Sequence, residues 1–255
     1  MIGLDGAVAL VAGVGPGLGT STATALARAG ASLVVAARSQ ASVDSAVDAV
    51  SRVGASATGV IADLTRPEER ESLLHVLEER GGLDVLVYNA SSTGQNVDIA
   101  DVELDDWRHL AEVNLWSPIA LAQSALPLLR KSDRASVVMV SAMTTRMVSA
   151  RGRGGYAITK AALNQAVKTM AFEFGADDIR VNGVVPGWME TPTIREWRDD
   201  PDKRPHLERA ASQIPLGGIP HPNDVAGTVV FLASRLSAAV TGELVDSNGG
   251  QYMRG

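Results

Sequence analysis

The chain has 255 residues, 45% hydrophobic and 20% charged, with four histidines, no cysteine and a formal net charge of −6. Lack of cysteine excludes a disulfide scaffold, a thiolate metal site and a thiol nucleophile, and four scattered histidines do not read as a metal centre. The acidic balance argues against a nucleic-acid partner, and no apolar run reaches the roughly 20 residues that a membrane span needs.

Residues 1–255 read as one domain, because α/β chains commonly run to about 250 residues around a single core. Met1-Ile2-Gly3-Leu4-Asp5 has neither a basic nor an apolar leader segment, which predicts a soluble cytoplasmic protein. Apolar runs fall at 7–12, 32–37, 57–61, 84–88, 135–141, 179–185 and 243–246. Continuous rather than alternating hydrophobicity marks strands buried on both faces. Helical spacing fills 18–29, 40–53, 67–80, 104–130, 155–175 and 222–235. Strands alternating with helix-length crossovers predict a doubly wound parallel sheet of about seven strands with helices on both faces, the Rossmann arrangement. Thr65-Arg66-Pro67-Glu68 and His221-Pro222-Asn223-Asp224 carry helix start signals.

The first strand runs into Gly13-Val14-Gly15-Pro16-Gly17-Leu18-Gly19 and then a helix. Glycines there let the backbone approach a pyrophosphate, which meets free N–H groups and the positive end of the helix dipole. At the end of the second strand, where an acid would hold an NAD ribose, stand Arg38 and Ser39, with no carboxylate before Asp44. Arg38 can pair with a 2′-phosphate instead, so the expected cofactor is NADP(H) rather than NAD(H). An arginine that is merely solvated is the competing reading.

Tyr156 and Lys160 are four apart, hence on one helix face. An ammonium beside a phenol, whose free pKa is about 10, lowers that value and suits the pair to proton transfer. Segment 188–220 follows a strand end and is dense in charge and proline, the composition of a substrate lid or of a solvated excursion.

Taken together, Gly13-xxx-Gly17-x-Gly19, Asp63, Asn89-Ala90, Asn114, Tyr156-xxx-Lys160 and Pro186-Gly187 stand in the order found in short-chain dehydrogenases/reductases. About residues 5–250 resemble that family. The resemblance implies a homotetramer or homodimer that moves hydride between nicotinamide and a small-molecule carbonyl or alcohol. It implies Tyr156 as proton donor or acceptor, Lys160 on the nicotinamide ribose, and Asn114 holding a water that links the lysine to solvent. Asp63, followed by Leu64, would meet the adenine; Asn89 and Ala90 would line the cleft; Pro186, Gly187 and Thr191 would cover the carboxamide.

Three departures accompany this likeness. Ala12 replaces the usual threonine before the glycine loop, and the family's Asn-Asn-Ala-Gly reads Tyr88-Asn89-Ala90-Ser91. The family's catalytic serine lies roughly 13 positions before the tyrosine, whereas here Ser141 and Ala142 lie 15 and 14 before it. Either Ser141 supplies the hydroxyl that binds the substrate oxygen, or Ala142 fills that position and Thr144, Thr145 or Ser149 substitutes. Met143 and Trp188 are candidate substrate-wall residues. Arg146, with Arg151 and Arg153, is either a carboxylate or phosphate contact or solvated, and Gly152, Gly154 and Gly155 suggest a loop that moves or passes close to a ligand. Trp107 and Trp116 suit helix packing, and apolar faces on 104–130 and 155–175 suit a subunit contact. An enoyl- or dienoyl-thioester reductase, or a scaffold or redox sensor that binds nucleotide without much catalysis, are the competing functions.

Overall fold

The structure is a computed structural model, and it describes residues 3–148 and 151–253. In chain order the elements are β1 (Val8–Ala12), α1 (Leu18–Arg28), β2 (Ser32–Ala37), α2 (Gln40–Ser51), β3 (Ala57–Ile61), α3 (Pro67–Glu79) and β4 (Val85–Tyr88). There follow α4 (Leu104–Ala111), α5 (Ser117–Leu129), β5 (Ser136–Val140), α6 (Gly154–Phe174) and β6 (Arg180–Pro186). The chain then forms α7 (Pro192–Asp199), α8 (Arg204–Ser212), α9 (Pro222–Ala233) and β7 (Leu244–Ser247). All seven strands pair in parallel, in the order β3-β2-β1-β4-β5-β6-β7.

Each predicted apolar run is a strand, and the reason is visible in burial. Residues Val8–Ala12, Val85–Tyr88 and Ser136–Val140 are buried on both faces. One core, with Leu73, Leu121 and Leu163, lies under α3, α5 and α6; the other, with Leu26, Val43 and Val229, lies under α1, α2 and α9. The strand order reverses between β1 and β4, so the crevice above their carboxyl ends is the switch point where such sheets bind ligands.

Two local expectations are corrected. The single helix expected over 104–130 is interrupted by a π-turn at Glu112–Trp116, between α4 and α5. Its cause is Asn114, whose fully buried amide is held outside the helix: Oδ1 accepts from the Ser92 N–H at 2.9 Å and Nδ2 donates to the Ser92 carbonyl at 2.8 Å. At α3 the residue before Pro67 is Arg66, with no side-chain cap, because Thr65 spends its hydroxyl on Asp63. Segment 188–220 carries the largely exposed helices α7 and α8, joined by Trp188 packed edge-on to Trp197 with ring centroids 5.9 Å apart and against His206 at 5.6 Å. The His221 start signal forms a full capping box.

No described helix is long and apolar enough to cross a membrane. Trp116 and Phe172 stand exposed on the α5 and α6 side, whereas Trp107 lies against Gly155.

Candidate active site

Two adjoining cavities, of about 340 and 240 Å³, open over the carboxyl ends of the strands and share Gly13, Asn89 and Ser91 in their walls. The glycine turn forms the floor. Gly13 has φ +98°, its carbonyl accepts from Asn89 Nδ2 at 2.6 Å, and a Cβ on it would lie 2.2 Å from the Ala90 nitrogen. A Cβ on Gly19 would meet the Gly13 carbonyl at 2.6 Å. By contrast a Cβ on Gly15 would meet nothing within 4 Å. The turn therefore needs glycine at Gly13, at Gly17 with φ +144° and at Gly19, and keeps Gly15 open to the cavity. Helix α1 starts at Gly17 with no side-chain cap, so its first N–H groups face the cavity, the donor set that an anionic pyrophosphate requires.

The larger cavity is bounded by Arg38, Ser39, Asp63, Leu64 and Ala90, with Val14, Ser42, Thr65, Tyr88 and Val113. Arg38 makes no hydrogen bond or ion pair among the described residues, while Ser39 caps α2 by accepting from the Ser42 N–H. Burial pushes the Asp63 carboxyl up, but hydrogen bonds from the Thr65 N–H and hydroxyl, with Arg38 and Arg66 nearby, bring it below the usual range. A cation free to bind, beside a helix N-terminus, fits a phosphate at the ribose end.

The smaller cavity collects Gly15, Gly17, Leu18, Gly19, Ser141, Tyr156, Lys160, Pro186 and Thr191. Gly187 is not on its wall: a Cβ there would press on Gln251 Oε1 at 2.5 Å and Asn248 at 2.8 Å. Ser91, the last residue of the Tyr88-Asn89-Ala90-Ser91 motif, also lines it, as do Val140 and Met189 outside any motif. Lys160, 1% exposed, donates to the Val140 carbonyl at 2.8 Å, and its Nζ lies 6.0 Å from the centre of the Tyr156 ring.

That geometry reverses one expectation. Burial raises the Tyr156 pKa to about 12, only partly opposed by Arg153, and burial lowers Lys160 to about 7. The phenol is not made acidic by the ammonium, because desolvation dominates and the ammonium is turned to the Val140 carbonyl. At neutral pH the phenol holds its proton and is a donor.

Asn114 spends both amide hydrogens on the Ser92 carbonyl and on Thr159 Oγ1, at 2.8 and 3.1 Å, and so ties the β4 end to α6 beside Lys160. Arg146 is a correction. Its side chain turns inward, where Nε pairs with Asp246 at 2.9 Å and Nη2 with the Leu244 carbonyl at 3.1 Å, so it braces the loop against β7 rather than facing a substrate. An arginine that can satisfy its fork on a carboxylate and a carbonyl in the interior does so. Arg151 pairs with Asp98 at the surface. Gly152 passes close to backbone: a Cβ on it would lie 2.8 Å from the Asn96 carbonyl carbon. Ala142 and Met143 are buried outside the two cavities, and Trp188 belongs to the aromatic cluster of α7 and α8. Thr144 lies on the turn after β5, and Ser149 lies outside the described residues. Among the described residues no cluster of histidine and carboxylate could hold a metal.

Comparison with known proteins covers nearly the whole chain. Residues 13–251 match the family model described as enoyl-(acyl carrier protein) reductase. The chain is 32% identical over 253 residues to the 3-oxoacyl-(acyl-carrier-protein) reductase of Vibrio cholerae, covering 98% of this chain and 99% of that protein. It is 34% identical to human dehydrogenase/reductase SDR family member 4 over 88% of this chain and 80% of that one. Among solved structures, a short-chain type dehydrogenase/reductase from Mycobacterium marinum superposes with a TM-score of 0.88 at 27% identity, covering 99% of this chain and 98% of that one. A 7α-hydroxysteroid dehydrogenase complexed with NADH and 7-oxo glycochenodeoxycholic acid gives 0.90 at 28%, again over 99% and 98%.

Proposed function

We propose that this chain, which belongs to the short-chain dehydrogenase/reductase family, is an NADP(H)-dependent oxidoreductase that interconverts a carbonyl and a secondary alcohol. The observation that carries this reading is the shared cavity in which the glycine turn, Tyr156, Lys160 and Ser141 meet. NADP(H), when bound, supplies or takes the hydride. In reduction, the Tyr156 phenol donates its proton to the substrate oxygen as the carbonyl carbon gains hydride, so the product is the alcohol. Lys160 in its charged form holds the nicotinamide ribose, and Ser141 contacts the substrate oxygen. The glycine turn and the start of α1 hold the pyrophosphate, while Arg38 and Ser39 take the 2′-phosphate. Asp63, Leu64, Asn89 and Ala90 line the nucleoside side, and Pro186 and Thr191 the nicotinamide side. A soluble homo-oligomer acting in the cytoplasm accords with this reading.

Incubation with NADPH and cyclohexanone, ethyl acetoacetate, acetoacetyl thioester or crotonyl thioester, following loss of NADPH absorbance, tests it. Reduction of a ketone or 3-oxo compound is expected. Oxidation of NADPH with crotonyl thioester alone would establish the enoyl-reductase alternative that the matched family description favours. Tight NADPH binding with no turnover of any probe would leave a nucleotide-binding scaffold.

Two predictions follow from charge. Arg38→Asp removes the phosphate partner and places a carboxylate where a ribose 2′-hydroxyl would sit, so preference for NADP over NAD falls by about 10-fold or more. An unchanged ratio of kcat/KM with the two cofactors overturns the assignment. Lys160 titrates at about 7 and Tyr156 at about 12, so the active combination, ammonium with neutral phenol, prevails at low pH. Reduction is therefore expected to decline as pH rises through about 7, with Lys160→Met slow and lacking that limb. A rate profile that rises across neutrality assigns the titration to another group.

A further inference from the structure

Behind Ser141 lies a chain of polar groups that the reaction above does not use. Asn164 sits on α6 one turn beyond Lys160 and is 8% exposed, and Ser141 is 2% exposed. Ser141 Oγ is 2.5 Å from Asn164 Oδ1, Asn164 Nδ2 is 2.9 Å from Thr145 Oγ1, and Thr145 Oγ1 is 2.8 Å from the Ala142 carbonyl.

The direction of these bonds is forced from one end. A backbone carbonyl only accepts, so Thr145 gives its one proton to Ala142. The Thr145 oxygen must then accept, which places the Asn164 nitrogen on that side and the Asn164 oxygen toward Ser141. Ser141 consequently donates to Asn164 and offers the cavity lone pairs but no proton. A substrate carbonyl oxygen needs the opposite, because it gathers negative charge as hydride arrives.

Turning the Asn164 amide over reverses the chain. Nδ2 then donates to Ser141, Thr145 swings its proton from Ala142 to Asn164 Oδ1, and the Ser141 proton is released toward the substrate. Counting the bond to the substrate, three hydrogen bonds exist in either arrangement, and no proton changes owner. An aspartate at 164 could only accept, and a leucine could do neither.

We propose that Asn164 is a positioning residue: its amide holds the Ser141 hydroxyl as an acceptor until a carbonyl substrate arrives, then turns over so that Ser141 donates to the substrate oxygen. This deepens the reading above and rests on it. The test measures kcat, KM and thermal midpoint with NADPH and whichever member of the carbonyl panel is reduced fastest. Asn164→Asp pins the Ser141 proton and is expected to lower kcat about 10²-fold, as Ser141→Ala does. The double variant is expected to be no slower than either single one, since the two residues act as a unit. Thr145→Val frees the amide from its anchor and is expected to lower the carbonyl KM about fivefold, the worth of one hydrogen bond. Losses that multiply in the double variant, or wild-type kcat in Asn164→Asp, overturn the proposal. If Asn164→Asp does not fold, Thr145→Val decides, and an unchanged or raised KM overturns it. When wild type reduces no carbonyl probe, the oxidoreductase reading falls and takes this inference with it. When Tyr156→Phe abolishes turnover but losses at 141 and 164 multiply, only the role of Asn164 falls.

Discussion

Tyr156→Phe is expected to reduce NADPH-dependent carbonyl reduction about 10³-fold while leaving NADPH affinity and thermal midpoint close to wild type. The size follows from the loss of a positioned general acid. The selectivity follows from the structure. The Tyr156 hydroxyl makes no hydrogen bond among the described residues, so removing it breaks no bond, and phenylalanine keeps the ring in place. Neither Ser141 nor the buried Lys160 restores the lost acid, since a serine hydroxyl gives the substrate oxygen a hydrogen bond but not its proton, and Lys160 points at the Val140 carbonyl. Stopped-flow turnover and a fluorescence titration of NADPH, on the same preparation, separate chemistry from binding. Turnover within a few-fold of wild type would remove Tyr156 from the reaction and with it the proposed mechanism.

Gly13→Ala is expected to be the most damaging single-methyl change in the cofactor site, costing about 3–5 kcal/mol of stability and abolishing NADPH binding. At φ +98° an L side chain costs about 1–2 kcal/mol by itself. Its Cβ would also enter the space of Ala90, 2.2 Å from the nitrogen and 2.4 Å from the α-carbon, and backbone cannot give way as a side-chain tip can. The Gly13 N–H donates to the Ala36 carbonyl and the Gly13 carbonyl accepts from Asn89, so displacement would strain β2 and the end of β4 together. Gly15→Ala is the control, with nothing within 4 Å of the added methyl. It should fold as wild type does and bind NADPH more weakly, because the methyl stands in the cavity. Chemical denaturation and NADPH titration of both variants check the contrast, and a Gly13→Ala protein as stable as wild type contradicts it.

Much of this could be read from residues alone. The central strands were legible because both sheet faces are covered there, giving apolar runs such as Val34-Val35-Ala36 or Val137-Val138-Met139, whereas the edge strands β3 and β7 are only partly buried. Tyr156 and Lys160, on one helix face by their spacing, do share a cavity with the glycine turn. Val140 and Met189 were not legible, since a wall residue contributes only a surface and nothing in its own identity marks it. Asn164 left a signal, a lone amide in the apolar stripe of α6 eight positions after Tyr156, but its partners Ser141 and Thr145 come from the far side of a loop.

By itself the sequence determined the order of elements, the parallel sheet and the set of motif residues, because these depend on periodicity and spacing within short segments. Tertiary structure alone decided where charge resides and which polar groups are free. Arg146 was available in sequence to a ligand and is consumed by Asp246; Tyr156 was expected to be acidic and burial keeps it protonated; Ser141 had a proton to give and Asn164 holds it. Desolvation and hydrogen-bond direction depend on neighbours distant in the chain, so no window of residues contains them.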